Sequence, residues 1–265
     1  LLTATVPLGA EGFTVDTPTA EVVDLGTAFG IDLRKDGVSR VSVFEGEVEV
    51  SLSGSTEKRL LKEGEAVRVE GGQDIEAVDF DAEPYTKIWP VSSGIERSTE
   101  AFRFVPPWPP QQRFVRSGED IFIAPEGHVA TLSSSLRVNV SIPGMYSNED
   151  DLTASELPAG QLIRSFMLFF HPEKAGPRQP PTQVTGSVTF DSPVLGLIVL
   201  HEELQASARR FIRHGPRSVR EGQQLELTGD DDSDVITLSD DRRTVTLQLT
   251  TQARSGELMR VVVDA

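Results

Sequence analysis

The chain has no cysteine among its 265 residues. That removes disulfides, thiolate nucleophiles and zinc–thiolate centres together. The fold must then rest on strand pairing and apolar burial. Basic residues are scarce beside acidic ones, 25 Lys and Arg against 41 Asp and Glu, for a formal net charge of −16. General nucleic-acid binding needs a basic footprint, so nucleic acid is excluded as a partner class. Aromatic residues are 6% of the chain, with two Trp and two Tyr, which leaves few side chains for a stacking platform. No apolar run approaches the roughly 18 residues of a membrane-crossing helix, and no signal peptide is legible, so no membrane span is expected in this chain. G-x-S-x-G, P-loop and G-x-G-x-x-G motifs are all missing. His128, His171, His201 and His214 are scattered without metal-ligand spacing.

What is present is β texture. Phe13, Val15 and Thr17 alternate with Thr14 and Asp16, the period-2 pattern of a half-buried strand. Thr17-Pro18 reads as a stop or edge, because Pro18 cannot donate to a ladder. Val22, Val23 and Leu25 resume the apolar pattern. Val41 and Val43 are separated from Val48 and Val50 by Glu45-Gly46, which reads as a hairpin turn. Leu60-Leu61 leads into Glu63-Gly64-Glu65, another turn, and Val67 and Val69 alternate after it. Short strands punctuated by glycine predict an all-β roll or sandwich.

Residues 81–113 change character. Pro84, Pro90, Pro106, Pro107, Pro109 and Pro110, with Trp89 and Trp108 among them, predict a stiff interdomain connector. A docking peptide for an aromatic groove is the sharper alternative. From residue 114 the β pattern returns. Strands are expected over 121–123, 129–132, 136–142, 162–170, 184–190 and 194–200, with Pro143-Gly144 as a turn. The run LIRSFMLFF at 162–170 reads as a central strand. Residues 244–249 and 258–263 read as a closing hairpin, and residues 202–211 as a short helix. The expected domains are 1–80, a connector at 81–113, and a β-sandwich-like domain at 114–265.

The first of these resembles the FecR domain, the extracytoplasmic part of bacterial sigma-factor regulators. The resemblance rests on Val15, Thr17, Pro18, Ala20, Val22, Gly26, Thr27 and Phe29, then on Val41, Val43, Gly46 and Val48, then on Leu61, Gly64 and Glu65. The spelling Asp24-Leu25-Gly26-Thr27 looks like the planctomycete version. FecR domains ordinarily carry more strands before this segment, so the match reads as a partial domain. The second half is similar, less specifically, to a β-rich domain of secreted and surface-sorted bacterial proteins, on Gly160, Ser165, His171, Gly186, Thr189, Phe190, Asp191, Leu195 and Gly196. Ser207-Ala208 replaces the Ser-Asp pair of that pattern. Together the resemblances imply an extracytoplasmic location, in the periplasm or at the cell surface.

Some FecR-like regulators are cleaved at the equivalent Gly-Thr, which makes Gly26 and Thr27 the candidate self-cleavage pair. A Thr hydroxyl directly after glycine can attack the preceding carbonyl, given a base and an oxyanion donor. The plainer reading is a tight turn at Gly26 with Thr27 paired in a sheet. Ala28 stands where the family often has an acid. Asp230, Asp232 and Asp234, with Asp231 between them, offer hard oxygen ligands for Ca²⁺, although the loop lacks the glycine and distal glutamate of an EF-hand. A solvated turn is the alternative. Arg209, Arg210, Arg213, His214, Arg217 and Arg220 form a basic cluster that either contacts an anionic polymer or neutralises acidic neighbours.

No conventional catalytic site emerges, so a non-enzymatic role through protein partners or self-association is expected. It is either a structural or assembly subunit of the cell envelope or a FecR-type sigma-factor regulator. An open edge beside residues 1–6 could accept a strand from a neighbour. A carbohydrate-binding module is the third class, for which Trp89, Trp108 or Tyr146 would have to serve.

Overall fold

A computed structural model describes residues 1–6, 9–71, 74–85, 88–105, 119–126, 129–170, 182–211, 224–251 and 256–265. The chain divides into two compact units, Leu1–Ser93 and Gly94–Ala265. Both are built almost wholly from strands, as the alternation predicts.

The first unit contains β1 (Leu2–Thr5), β2 (Thr14–Asp16), β3 (Ala20–Asp24), β4 (Ala28–Leu33), β5 (Ser39–Glu45), β6 (Glu47–Leu52), β7 (Lys58–Lys62), β8 (Ala66–Val69) and β9 (Ile75–Val78). They form two sheets, in the orders β1-β4-β5-β8-β9 and β2-β3-β6-β7. Phe29, Ile31, Val41, Val43, Val67 and Val69 of the first sheet share one core with Ala20, Val22, Val48, Val50 and Leu61 of the second. This is a sandwich assembled from four hairpins, β2-β3, β4-β5, β6-β7 and β8-β9, placed in alternate sheets.

That arrangement corrects the hairpin expected at Glu45-Gly46. Glu45 pairs with Ala28 in one sheet, whereas Glu47 pairs with Lys62 in the other. Gly46 is therefore a corner between sheets. Gly26, between β3 and β4, and Gly64, between β7 and β8, are corners of the same kind, and all three have positive φ (96°, 82° and 77° for Gly26, Gly46 and Gly64). An L side chain is disfavoured there.

The outer face of the first sheet is covered by the unit's own C-terminal segment, a 3-10 turn over Glu83–Tyr85 and the short helix α1 (Trp89–Ser92). Tyr85 is fully buried, and its ring meets Phe44 edge-on at 5.0 Å. It lies over Gly30, where a Cβ would come within 2.4 Å of Tyr85 Cε1. Burial pushes its phenol up to about 12, against the pull of the Ser42 hydroxyl.

The second unit runs β10 (Ile95–Ser98), β11 (Phe102–Phe104), β12 (Ile121–Pro125), β13 (Ala130–Thr131), β14 (Leu136–Val138), β15 (Gly144–Tyr146), β16 (Ser155–Leu157), β17 (Leu162–Phe170), β18 (Thr182–Phe190), β19 (Val194–Ile198), α2 (His201–Phe211), β20 (Val235–Leu238), β21 (Thr244–Thr251) and β22 (Glu257–Asp264). One sheet is ordered β10-β18-β21-β20-β15, and the facing one β11-β12-β17-β22-β19 with β13 beside β17. LIRSFMLFF is a central strand of the latter, as its composition predicts. Ile95 and Phe102 pack into this unit's core. Residues 95–98 and 102–104, assigned to the connector from proline content, thus belong to the sheets: Ile95 is buried at the start of one strand, and Phe102 and Phe104 alternate with Arg103 in the other. Residues 106–118, with Trp108 and four of the prolines, lie outside the described residues.

The closing hairpin expected from 244–249 and 258–263 is also corrected. β21 pairs with β18 and β20 in one sheet, and β22 with β17 and β19 in the other. The helix expected at 202–211 is present as α2. It packs with β14 and β16 on the outer face of the second sheet, through Leu204, Ala208 and Phe211.

Candidate functional site

The corner at Asp24–Thr27 carries the most chemistry in the first unit. Asp24 ends β3 and Thr27 precedes β4, and both are fully buried. Thr27 donates its hydroxyl to Asp24 Oδ1, and the Gly26 N–H donates to Asp24 Oδ2 at 2.9 Å. The Val6 N–H holds the Thr27 carbonyl at 2.8 Å, and the Leu25 N–H reaches the Glu47 carbonyl at 3.2 Å. A buried carboxylate needs such donors to offset its desolvation. The local logic is compact. A turn that must pass from sheet to sheet takes glycine for its positive φ, and a short acid two residues earlier gathers the N–H and O–H groups the turn exposes.

Asp24 did not stand out in the sequence, where Gly26 and Thr27 were the candidates. The signal that could have found it is its spacing: an Asp three residues before a Thr across a glycine is an Asx-type turn. The geometry supplies the two parts of an acyl shift that side chains can provide, a hydroxyl and an adjacent carboxylate acceptor. Both side chains are enclosed, whereas Leu25 and Gly26 between them are exposed and partly exposed.

The other candidates separate. Asp230 Oδ1 accepts from Thr228 Oγ1 at 2.8 Å and from the Asp232 N–H at 3.2 Å, within its own exposed turn. Asp234 is instead fully buried, with Oδ1 accepting from the Thr250 N–H at 2.9 Å and Oδ2 from the Glu226 N–H at 2.7 Å. Both oxygens are held inside the fold, so Asp234 is not turned toward Asp230 and Asp232, and the Ca²⁺ trio is not assembled. Among the described residues no group of three or more His, Asp or Glu is placed to hold a metal ion.

Arg210 donates to the Ser134 hydroxyl at 2.5 Å and to the Ser135 carbonyl at 3.0 Å, so it ties α2 to a neighbouring loop. Arg213, His214, Arg217 and Arg220 lie outside the described residues, as do His128 and His171; Arg209 and His201 are in α2. Tyr146, offered as a stacking residue, is 5% exposed, and its hydroxyl donates to the Ile142 carbonyl at 2.7 Å. Its ring belongs to the core, because β15 turns it inward. Trp89 opens α1. Among the described residues no helix is long and apolar enough to cross a membrane.

A buried ion pair lies in the second unit and was not foreseen. Arg260, 0% exposed, donates from Nε and Nη2 to Glu126 at 2.5 and 2.7 Å, and from Nη1 to Ser207 in α2. Its guanidinium stands 5.2 Å from the Phe211 ring centroid. These contacts anchor the helix to the sheet and are structural.

Comparison with known proteins is spare. No curated protein and no solved structure matches the chain. Residues 2–49, which hold β1–β5, the first half of β6 and the corners at Gly26 and Gly46, match the family model described as FecR protein, so the first unit carries a FecR-type segment.

Proposed function

We propose that this chain is a non-enzymatic, extracytoplasmic protein that acts through protein–protein contacts, and that its FecR-type unit serves in signalling. The observation that carries this reading is the family match over residues 2–49. The strands of that segment build two facing sheets around one core, with the polar corner used for folding, which suits a module that presents surfaces. The acidic balance, 41 Asp and Glu against 25 Lys and Arg, suits an extracytoplasmic protein kept dispersed by self-repulsion. Deleting the gene in its host and profiling transcripts tests the reading. A compact set of genes that loses its response and recovers on complementation is the expected result. An unchanged transcript profile with altered envelope morphology would transfer the protein to the structural class.

A second reading is favoured by the Asp24–Thr27 bond: self-processing at Gly26–Thr27. Asp24 would take the hydroxyl proton as Thr27 Oγ1 attacks the Gly26 carbonyl carbon. The amide nitrogen would leave with a proton as the Thr27 α-amine, and an ester would join Gly26 to Thr27 Oγ1. Water would then release a Gly26 carboxylate and restore the hydroxyl. Intact mass of the purified chain decides it. Two fragments meeting at 26/27 that disappear in Thr27→Ala and Asp24→Asn support processing, and a single uncut mass under all conditions removes it.

A further inference from the structure

We propose that the outer edge of β7, which pairs with β6 alone among the described strands, docks an extended acidic segment of a partner protein, which joins the sheet β2-β3-β6-β7 as an added strand. This rests on the reading of the chain as a protein-binding module and names the chemistry of the partner.

β7 and β9 are the last strands of their sheets, on the same side of the sandwich. The sheets part there around a cavity of about 510 Å³, lined by Leu52, Leu60 and Ile75 with Arg59, Glu57 and Asp74 among the polar residues. Arg59 Nη1 reaches across to the Ile75 carbonyl at 2.7 Å.

The register shows which backbone groups the edge presents. The Glu63 N–H donates to the Gly46 carbonyl at 3.0 Å, which makes 63/46 a hydrogen-bonded pair. Alternation along an antiparallel ladder then puts Leu61/Val48 and Arg59/Val50 in the same class. Lys58, Leu60 and Lys62 consequently turn their N–H and C=O groups away from β6. The Lys62 N–H is taken by Glu65 Oε2 at 2.9 Å. Lys58 and Leu60 carry the donors and acceptors available for an added strand.

Charge selects the occupant. Lys58 and Lys62 flank Leu60 on the outer face of the strand, and all three are exposed. A second copy pairing antiparallel about Leu60 would set Lys58 against Lys62 of its neighbour, a like-charge opposition that protects edges from self-pairing. A strand with carboxylates two residues before and two after an apolar residue would place acids across from both lysines and the apolar group against Leu60. β6, on the other side of β7, already supplies carboxylates to both lysines. Glu49 holds Lys58 at 2.7 Å and Glu47 holds Lys62 at 3.6 Å. The residues between, facing inward, would enter the cavity beside Leu52 and Ile75, the usual division of labour in strand addition.

The probe is the peptide Ser-Glu-Val-Leu-Val-Glu-Ser, with its Glu-to-Lys counterpart as control, titrated into the isotope-labelled full chain and followed by amide NMR. Expected are shifts and slowed exchange at the Lys58 and Leu60 amides with the acidic peptide only. The double variant Lys58→Glu/Lys62→Glu should weaken binding about tenfold or more. Leu60→Pro removes an outward N–H and the exposed side chain that the added strand would meet, a change an edge strand tolerates, so binding should vanish with the thermal midpoint nearly unchanged. Binding that survives Leu60→Pro, equal binding of the lysine peptide, no binding at all, or a dimer through β7 in light scattering would each overturn the proposal. Peptide failure with the transcript response intact removes this edge and leaves the signalling reading standing. Peptide binding with no transcript response does the reverse.

Discussion

The Gly26 carbonyl oxygen rests against Gly46: a Cβ built on Gly46 would lie 2.7 Å from that oxygen and 2.7 Å from Thr27 Cγ2. Two sheet-to-sheet corners are thus stacked at one end of the sandwich, and each limits what the other can carry. Gly46→Ala adds a methyl to this contact at a residue with φ of +82°. It is expected to destabilise the first unit by about 2–4 kcal/mol, from left-handed strain and overpacking together. Chemical denaturation of the full chain, monitored by amide signals of the first unit, measures it, and a loss below 0.5 kcal/mol, on the order of an ordinary surface change, would refute the stacked corner.

Gly30 and Tyr85 form a second close pair. Tyr85→Ala should cost about 3–5 kcal/mol as a large buried aromatic. Gly30→Ala alone should be strongly destabilising, because its Cβ would meet the Tyr85 ring and Phe44 Cζ, the latter at 2.7 Å. In the Tyr85→Ala background the same change should cost less, with the Phe44 contact remaining. A double-mutant cycle reads the coupling, expected at about 1–3 kcal/mol, and simple additivity would contradict the packing.

Arg260 and Glu126 predict an asymmetric cycle. Arg260→Met leaves a buried carboxylate, and Glu126→Gln leaves a buried guanidinium, so each single variant should lose about 3–5 kcal/mol. The double variant should recover a large share, since no uncompensated charge remains. Equilibrium unfolding of the three variants tests this.

Asp234 predicts a pH dependence. Burial pushes its carboxyl up from 3.8 to about 6, against the Thr250 and Glu226 N–H donors, and the nearby Glu226 carboxylate pushes the same way. The folded state therefore keeps a proton that the unfolded chain releases. This contribution to stability is complete below about pH 3.8 and is lost as the pH rises through about 6. Its size is on the order of 2–3 kcal/mol. The difference between wild type and Asp234→Asn, followed by unfolding from pH 3.5 to 7.5, should fall across that window. A flat difference would place the carboxyl near its ordinary range.

Much of this was legible locally. Period-2 alternation at Val41, Val43, Val48 and Val50 marks strands because a pleat sends successive side chains to opposite faces, whatever the strand's neighbours. LIRSFMLFF could be placed in the middle of a sheet because its residues are apolar on both faces. The candidate pair Gly26-Thr27 was visible as a turn with a hydroxyl, while Asp24 was hidden, since nothing in a strand-ending Asp says which way its carboxylate will face.

The chain's own residues determined that the protein is all-β and where most strands lie. Only the tertiary structure decided which strands share a sheet. Glu45-Gly46 is spelled alike for a hairpin turn and for a corner, because both ask the same φ of glycine. The choice falls to residues far away, Ala28 on one side and Lys62 on the other, whose pairing is paid for by the common core. The same holds for Asp234. Its neighbours in sequence make an acidic loop, and its neighbours in space, Glu226 and Thr250, make it an internal clamp.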